Sequence, residues 1–151
     1  MNFYLYDPKS AKALQWTEAG FESAEENADL KNARLLVLGN TVNTVKVEMP
    51  IKQAKQIVKA LPFALEDKLA SEVEDNHIVY VDSKSGEAHA LVAEHDLMEA
   101  LSEMELHSAT SFGSILPYTK GKTTIAVYNG DFYLKTNELY SACLPIKLLT
   151  F

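Results

Sequence analysis

Apolar and polar residues alternate along this chain with two different periods, and the switches between them mark its elements. Val45, Val47 and Met49 alternate with Thr44, Lys46 and Glu48, the period of two that a half-buried strand needs, so Val42 to Met49 is predicted as a strand. Just before it, Ala33 to Leu38 is an almost unbroken apolar run, as a strand covered on both faces would be. Gly39-Asn40-Thr41 supplies the turn between them. After Pro50 the period lengthens. Ile51, Ala54, Ile57, Val58 and Leu61 fall on one helical stripe, with Lys52, Gln53, Lys55, Gln56 and Lys59 on the other side. This predicts a helix beginning near Ile51 and packed through Ala54, Ile57, Val58 and Leu61. Pro62 lacks an N–H and its ring crowds the preceding turn, so the helix should end or kink there. Phe63, Leu65, Leu69 and Val73 continue a helical pattern to about Ser71.

Shorter signals fill in the rest. Phe3 to Asp7 and Ala13 to Thr17 read as strands joined by the turn-rich Pro8-Lys9-Ser10. Gly20 to Lys31 is polar and acidic, with Phe21, Ala24, Ala28 and Leu30 at roughly helical spacing, and reads as a loop with a weak helix. His77 to Asp82 and Glu87 to Ala93 flank Ser83-Lys84-Ser85-Gly86 as a hairpin. A short helix follows with Leu97, Ala100, Leu101 and Met104 inward, and Leu106 to Phe112 is a further strand candidate. Thr123 to Tyr128 and Asp131 to Thr136 enclose Asn129-Gly130, the strongest hairpin signal, because both residues tolerate the positive φ of a type I′ turn. Glu138 to Leu149 is predicted as a closing helix interrupted at Pro145. Strands, helix, strands, helix, hairpin and helix in that order make a mixed α/β or α+β domain.

Composition narrows the function classes. The chain has 151 residues, 47% hydrophobic and 23% charged, enough for a core without disulfides. Its net charge is -7 and it holds a single arginine, Arg34, so it lacks the clustered cations with which proteins displace counterions from nucleic acids. Cys143 is the only cysteine, which excludes an intrachain disulfide and suits a reducing compartment. No apolar run reaches the roughly 20 residues of a membrane span, and no signal-peptide pattern opens the chain.

No motif assembles an active site. Gly121-Lys122-Thr123-Thr124 resembles the tail of a P-loop, but Leu116 stands where the first glycine belongs, and Thr123 starts a strand rather than a helix. Asp7, Asp82 and Asp131 could form a two-metal nuclease site, yet all three lie beside turns, where Asp is common. His77, His89, His95 and His107 have no metal-ligand spacing with a cysteine. No catalytic, cofactor or metal residue is therefore assigned. An acidic run remains, with Glu66, Asp67, Glu72, Glu74 and Asp75 broken by Lys68. It reads as a solvated helix end, or as a docking patch for a basic partner.

Leu61-Pro62-Phe63-Ala64-Leu65-Glu66-Asp67-Lys68-Leu69-Ala70, followed by Glu72-Val73-Glu74-Asp75-Asn76-His77, is similar to the signature of the type II secretion protein L family. A proline inside an amphipathic helix followed by this acidic run makes the motif specific. Trp16 in the second strand, Leu116-Pro117 and the Asn129-Gly130 hairpin extend the resemblance more weakly over most of the chain. The resemblance implies an actin-like, ribonuclease H-like mixed sheet of two subdomains sharing a core, about residues 1–105 and 106–151. Actin-like ATPases hold metal and phosphate in the first hairpin. There this chain keeps Asp7 and Ser10 but has Pro8 and Lys9 in place of small flexible residues, as expected of a family without a working nucleotide site. The resemblance further implies a scaffold without a cofactor, which recruits the secretion ATPase (protein E) to the cytoplasmic face of the bacterial inner membrane. A complete protein would continue into a transmembrane helix and a periplasmic domain that pairs with protein M, and could form a homodimer. The alternative is an actin-like protein that still binds ATP, as related pilus assembly proteins are thought to.

Overall fold

The computed structural model describes residues 2–25 and 28–148. Among the described residues three sheets, two α-helices and short 3-10 turns make up the mixed α/β fold. The first sheet has five strands: β1 (Asn2–Asp7), β2 (Lys12–Thr17), β3 (Gly20–Ser23), β4 (Ala33–Val37) and β8 (Ser108–Ser111), ordered β3-β2-β1-β4-β8. β1 to β3 form an antiparallel meander, whereas β4 and β8 lie parallel to β1. The apolar run of β4 lies inside this sheet between β1 and β8, with Ala33, Leu35, Leu36 and Val37 all buried, as its unbroken pattern requires.

The second sheet orders β5 (Val42–Glu48), β7 (Glu87–Glu94) and β6 (Asn76–Lys84) as β5-β7-β6, all antiparallel. Helix α1 (Ala54–Leu65) packs on one face of it. Ile57, Leu61 and Leu65 meet Ala88, Ala90 and Val92 of β7, where the alanines let the helix approach closely. Each large side chain so buried contributes roughly 1.5–3 kcal/mol. The second helix, α2 (His95–Ser102), directly follows β7 and places Leu101 against Tyr4, Tyr6, Leu35 and Val37 on one side of the first sheet.

The third sheet is β11 (Ser141–Pro145), β10 (Asp131–Lys135) and β9 (Thr124–Tyr128), ordered β11-β10-β9 and antiparallel. Tyr133 of β10 joins Leu5, Leu36 and Leu38 on the other side of the first sheet. Beyond that core the aromatic contacts continue outward: Phe112 meets Tyr133, Phe21 meets Tyr128, and Trp16 caps the series edge-on against Phe21 at 4.9 Å. Asn129 and Gly130 both have positive φ, as the hairpin turn demands.

Six expectations are corrected. The segment predicted as a closing helix over Glu138 to Leu149 instead forms strand β11 and a short 3-10 turn at Ile146–Leu148, while Leu149 lies outside the described residues. Pairing with β10 satisfies five residues of backbone there, and Pro145 ends an edge strand where its missing N–H breaks no ladder. Helix α1 begins at Ala54, not near Ile51. Its buried stripe is Ile57, Leu61 and Leu65; Ala54 is exposed and Val58 is 53% exposed. Pro62 does not stop the helix, which runs to Leu65. Pro62 has no N–H for the Val58 carbonyl, and Val58 is itself an exposed residue of the helix. Beyond Leu65 the helical pattern fails: Glu66–Lys68 tightens into a 3-10 turn and Leu69 is extended. Within Gly20 to Lys31 the described residues contain strand β3 rather than a helix, because Trp16 and Phe21 are paired across the β2–β3 ladder.

Candidate functional site

The first hairpin brings Asp7 to the place where nucleotide chemistry would be sought. Its carboxylate is engaged in its own turn, accepting from the Lys9 backbone N–H at 3.0 Å and from Ser10 Oγ at 2.9 Å. Asp7, Lys9, Gly39, Asn40, Asn129 and Asp131 surround a crevice of only about 30 Å³. That is room for roughly two water molecules. Tyr133 closes its floor, accepting the Gly39 N–H at 2.8 Å on its hydroxyl oxygen, and burial pushes its phenol well above the ordinary tyrosine range.

The other candidates are dispersed. Asp131 shares the crevice with Asp7, but Asp82 lies in the second sheet and accepts the Ser83 N–H at 2.8 Å. Gly121 has φ of 77° in a turn, and Thr124 opens β9 with its hydroxyl on the Pro117 carbonyl. Cys143 sits half-buried in β11, its thiol pushed up to about 11 by burial, and is therefore protonated and a poor nucleophile at neutral pH. His77 and His95 have ring centroids 6.5 Å apart, His107 is exposed, and His89 is buried in β7. Among the described residues no group of three His, Cys, Asp or Glu side chains could hold a metal ion, and no helix is long and apolar enough to cross a membrane.

The acidic run is exposed and built on two short turns. Glu66 and Asp67 occupy the 3-10 turn that ends α1, and Glu74 and Asp75 a second one at Val73–Asp75; these four and Glu72 are all exposed. Asn76 shapes the loop, donating from Nδ2 to Ser71 Oγ at 2.9 Å and to the Glu72 carbonyl at 2.7 Å. Of the five acids, Asp75 lines a cavity of about 250 Å³ together with Ser71, Glu94, His95 and Asp96. A neighbouring groove of about 390 Å³ shares Ser71 and Glu94 and continues past Lys68, Leu69 and Leu97. Glu94 and Asp96, at the junction of β7 and α2, were not picked out from the sequence. Their only signal there was two acids flanking His95, and the folding back of β7 brings them beside Asp75.

The family model for the type II secretion system (T2SS) protein L matches residues 10–117. The chain belongs to this family. Within it, the matched stretch runs from Ser10 in the first hairpin, through the α1 motif and the acidic run, to Pro117. The structure is similar to the cytoplasmic domain of EpsL, an inner membrane component of the type II secretion system of Vibrio cholerae, with a TM-score of 0.75 and 15% identity. The match spans 97% of this chain and 71% of that one. The chain thus shares the fold of that domain. No curated protein matches the chain in sequence.

Proposed function

We propose that this protein L chain is a non-enzymatic scaffold that recruits the secretion ATPase (protein E) to the inner-membrane platform, with Glu66, Asp67, Glu72, Glu74 and Asp75 as the docking surface. The observation that supports the reading is the exposure of all five acids, one of which, Asp75, lines a cavity together with Glu94 and Asp96. Opposite charge steers association and fixes register. In the complete protein this platform role would include protein M, with a homodimer as its working form, on the cytoplasmic side of the membrane. The test is surface plasmon resonance of the wild type and the Glu72→Lys, Glu74→Lys double variant against the matching ATPase at two salt concentrations. Slower association of the variant, and weaker wild-type binding at high salt, support the acidic face. Equal rates without salt dependence would move the interface elsewhere.

A second reading, an actin-like protein that retains ATP binding, draws on the presence of Asp7 and Ser10 in the first hairpin. Against it stand the 30 Å³ crevice and the engagement of Asp7 by its own turn. Calorimetry with Mg-ATP at millimolar concentration is expected to show no saturable heat. Heat that disappears in Asp7→Ala would reverse that judgement.

A further inference from the structure

The face of the second sheet turned away from α1 covers a pocket of about 180 Å³, walled by Val81 and Leu91 of that sheet, by Thr110, Lys135 and Ser141 of the other two, and by Ser114 and Glu138 from the turns beside them. Lys135 is 8% exposed, yet among the described residues it forms no ion pair. Its Nζ donates to the Ser114 carbonyl, which uses one of its three donors. The carboxylate that Lys135 feels, Glu138, lines the same pocket and is paired at 3.1 Å with Lys84. A buried cation without a partner is costly, and native proteins pair such groups. Burial also holds the Lys135 pKa below the ordinary lysine value, with Glu138 opposing that shift.

We propose that this pocket is a binding site for a small oxyanion of the phosphate or carboxylate class, with Lys135 as its cationic anchor and the Thr110 and Ser141 hydroxyls as flanking donors. The pocket is below the roughly 300 Å³ of drug-sized ligand sites, which suits a small ion and excludes a nucleotide. Its apolar wall of Val81 and Leu91 lowers the local dielectric, which strengthens the pairing of a single ligand charge with Lys135. Because the wall is drawn from all three sheets, an occupant ties them together.

Thermal unfolding of the wild type in sodium phosphate, and separately in sodium acetate, against sodium chloride at equal ionic strength tests this. The expected result is a saturable rise in Tm of roughly 5–10 °C once the preferred anion is about a hundredfold above its Kd. Whichever anion acts at lower concentration identifies the class. Lys135→Met should abolish the rise while keeping the far-ultraviolet dichroism of the wild type. Should that variant fail to fold, amide spectra of the wild type decide the matter. Anion-dependent shifts confined to residues 80–82, 90–92, 108–116 and 134–142 support the site. Equal behaviour in all three salts, or shifts centred elsewhere, would overturn it.

Discussion

Strand β7 serves two faces that both lie inside the molecule and differ in chemistry. Ala88, Ala90 and Val92 point toward α1 and form a dry core in which only volume matters. His89, between them in sequence, points to the other side, is 3% exposed, and finds no hydrogen-bond partner for either ring nitrogen among the described residues. On that same side Thr44 Oγ1 and Ser141 Oγ approach to 3.4 Å, and Lys135 is buried without a carboxylate. An apolar residue would suit the second face better on stability grounds alone, since a buried polar atom without a partner costs about 1–3 kcal/mol. The first face holds the fold together. The second retains polar capacity that the fold does not use.

The comparison breaks most sharply at the first face. Leu61→Ala removes a fully buried side chain from between helix and sheet, and a loss of about 2–5 kcal/mol in urea denaturation is expected. On the second face the sensitive change is an addition. A Cβ at Gly113 would stand 2.9 Å from Ser141 Oγ and 3.1 Å from Ser141 Cβ, so Gly113→Ala should cost about 1–3 kcal/mol. Most of that loss should return in the Gly113→Ala, Ser141→Gly double variant, which a double-mutant cycle measures.

Acid should distinguish the faces next. Burial lowers the His89 pKa below the ordinary histidine value, with the Glu87 carboxylate opposing the shift. The unfolded chain therefore takes up the proton first. The His89 contribution is fully present above the unfolded value and is lost as pH falls through the lower folded one. Urea midpoints measured from about pH 8 to pH 5, above most carboxylate titrations, should decline in the wild type and flatten in His89→Leu. The smallest effect belongs to Val58, whose solvent-facing side chain should tolerate Val58→Ala within about 0.5 kcal/mol. A loss comparable to that of Leu61→Ala would mean that the buried stripe of α1 is wrongly placed.

The elements most legible in the sequence are those whose pattern is local. The alternation of β5, the unbroken run of β4 and Asn129-Gly130 each carry their own geometry, and the structure places them as read. β11 was read as a helix because Ser141-Ala-Cys-Leu-Pro has neither alternation nor β-branched residues; only its ladder with Asp131–Lys135 makes it a strand. Val58 was misplaced because five apolar residues on one stripe cannot all face a narrow three-stranded sheet. At the acidic face, five residues could be read from their run. Glu94 and Asp96 could not, because they reach Asp75 only through the tertiary path of β7.

Trp16 is the only tryptophan, and it stands 67% exposed at the outer end of the aromatic series, edge-on to Phe21. Its indole is already hydrated in the native state, so its emission should change little when the cores beneath α1 and around Tyr133 come apart. Fluorescence would then report chiefly on the rim of the β2–β3 hairpin, and unfolding of the interior has to be followed by dichroism or tyrosine absorbance. The same insensitivity makes the residue a quiet baseline for spectroscopy. Any molecule that settles over this rim should shift the emission to the blue against an almost flat background.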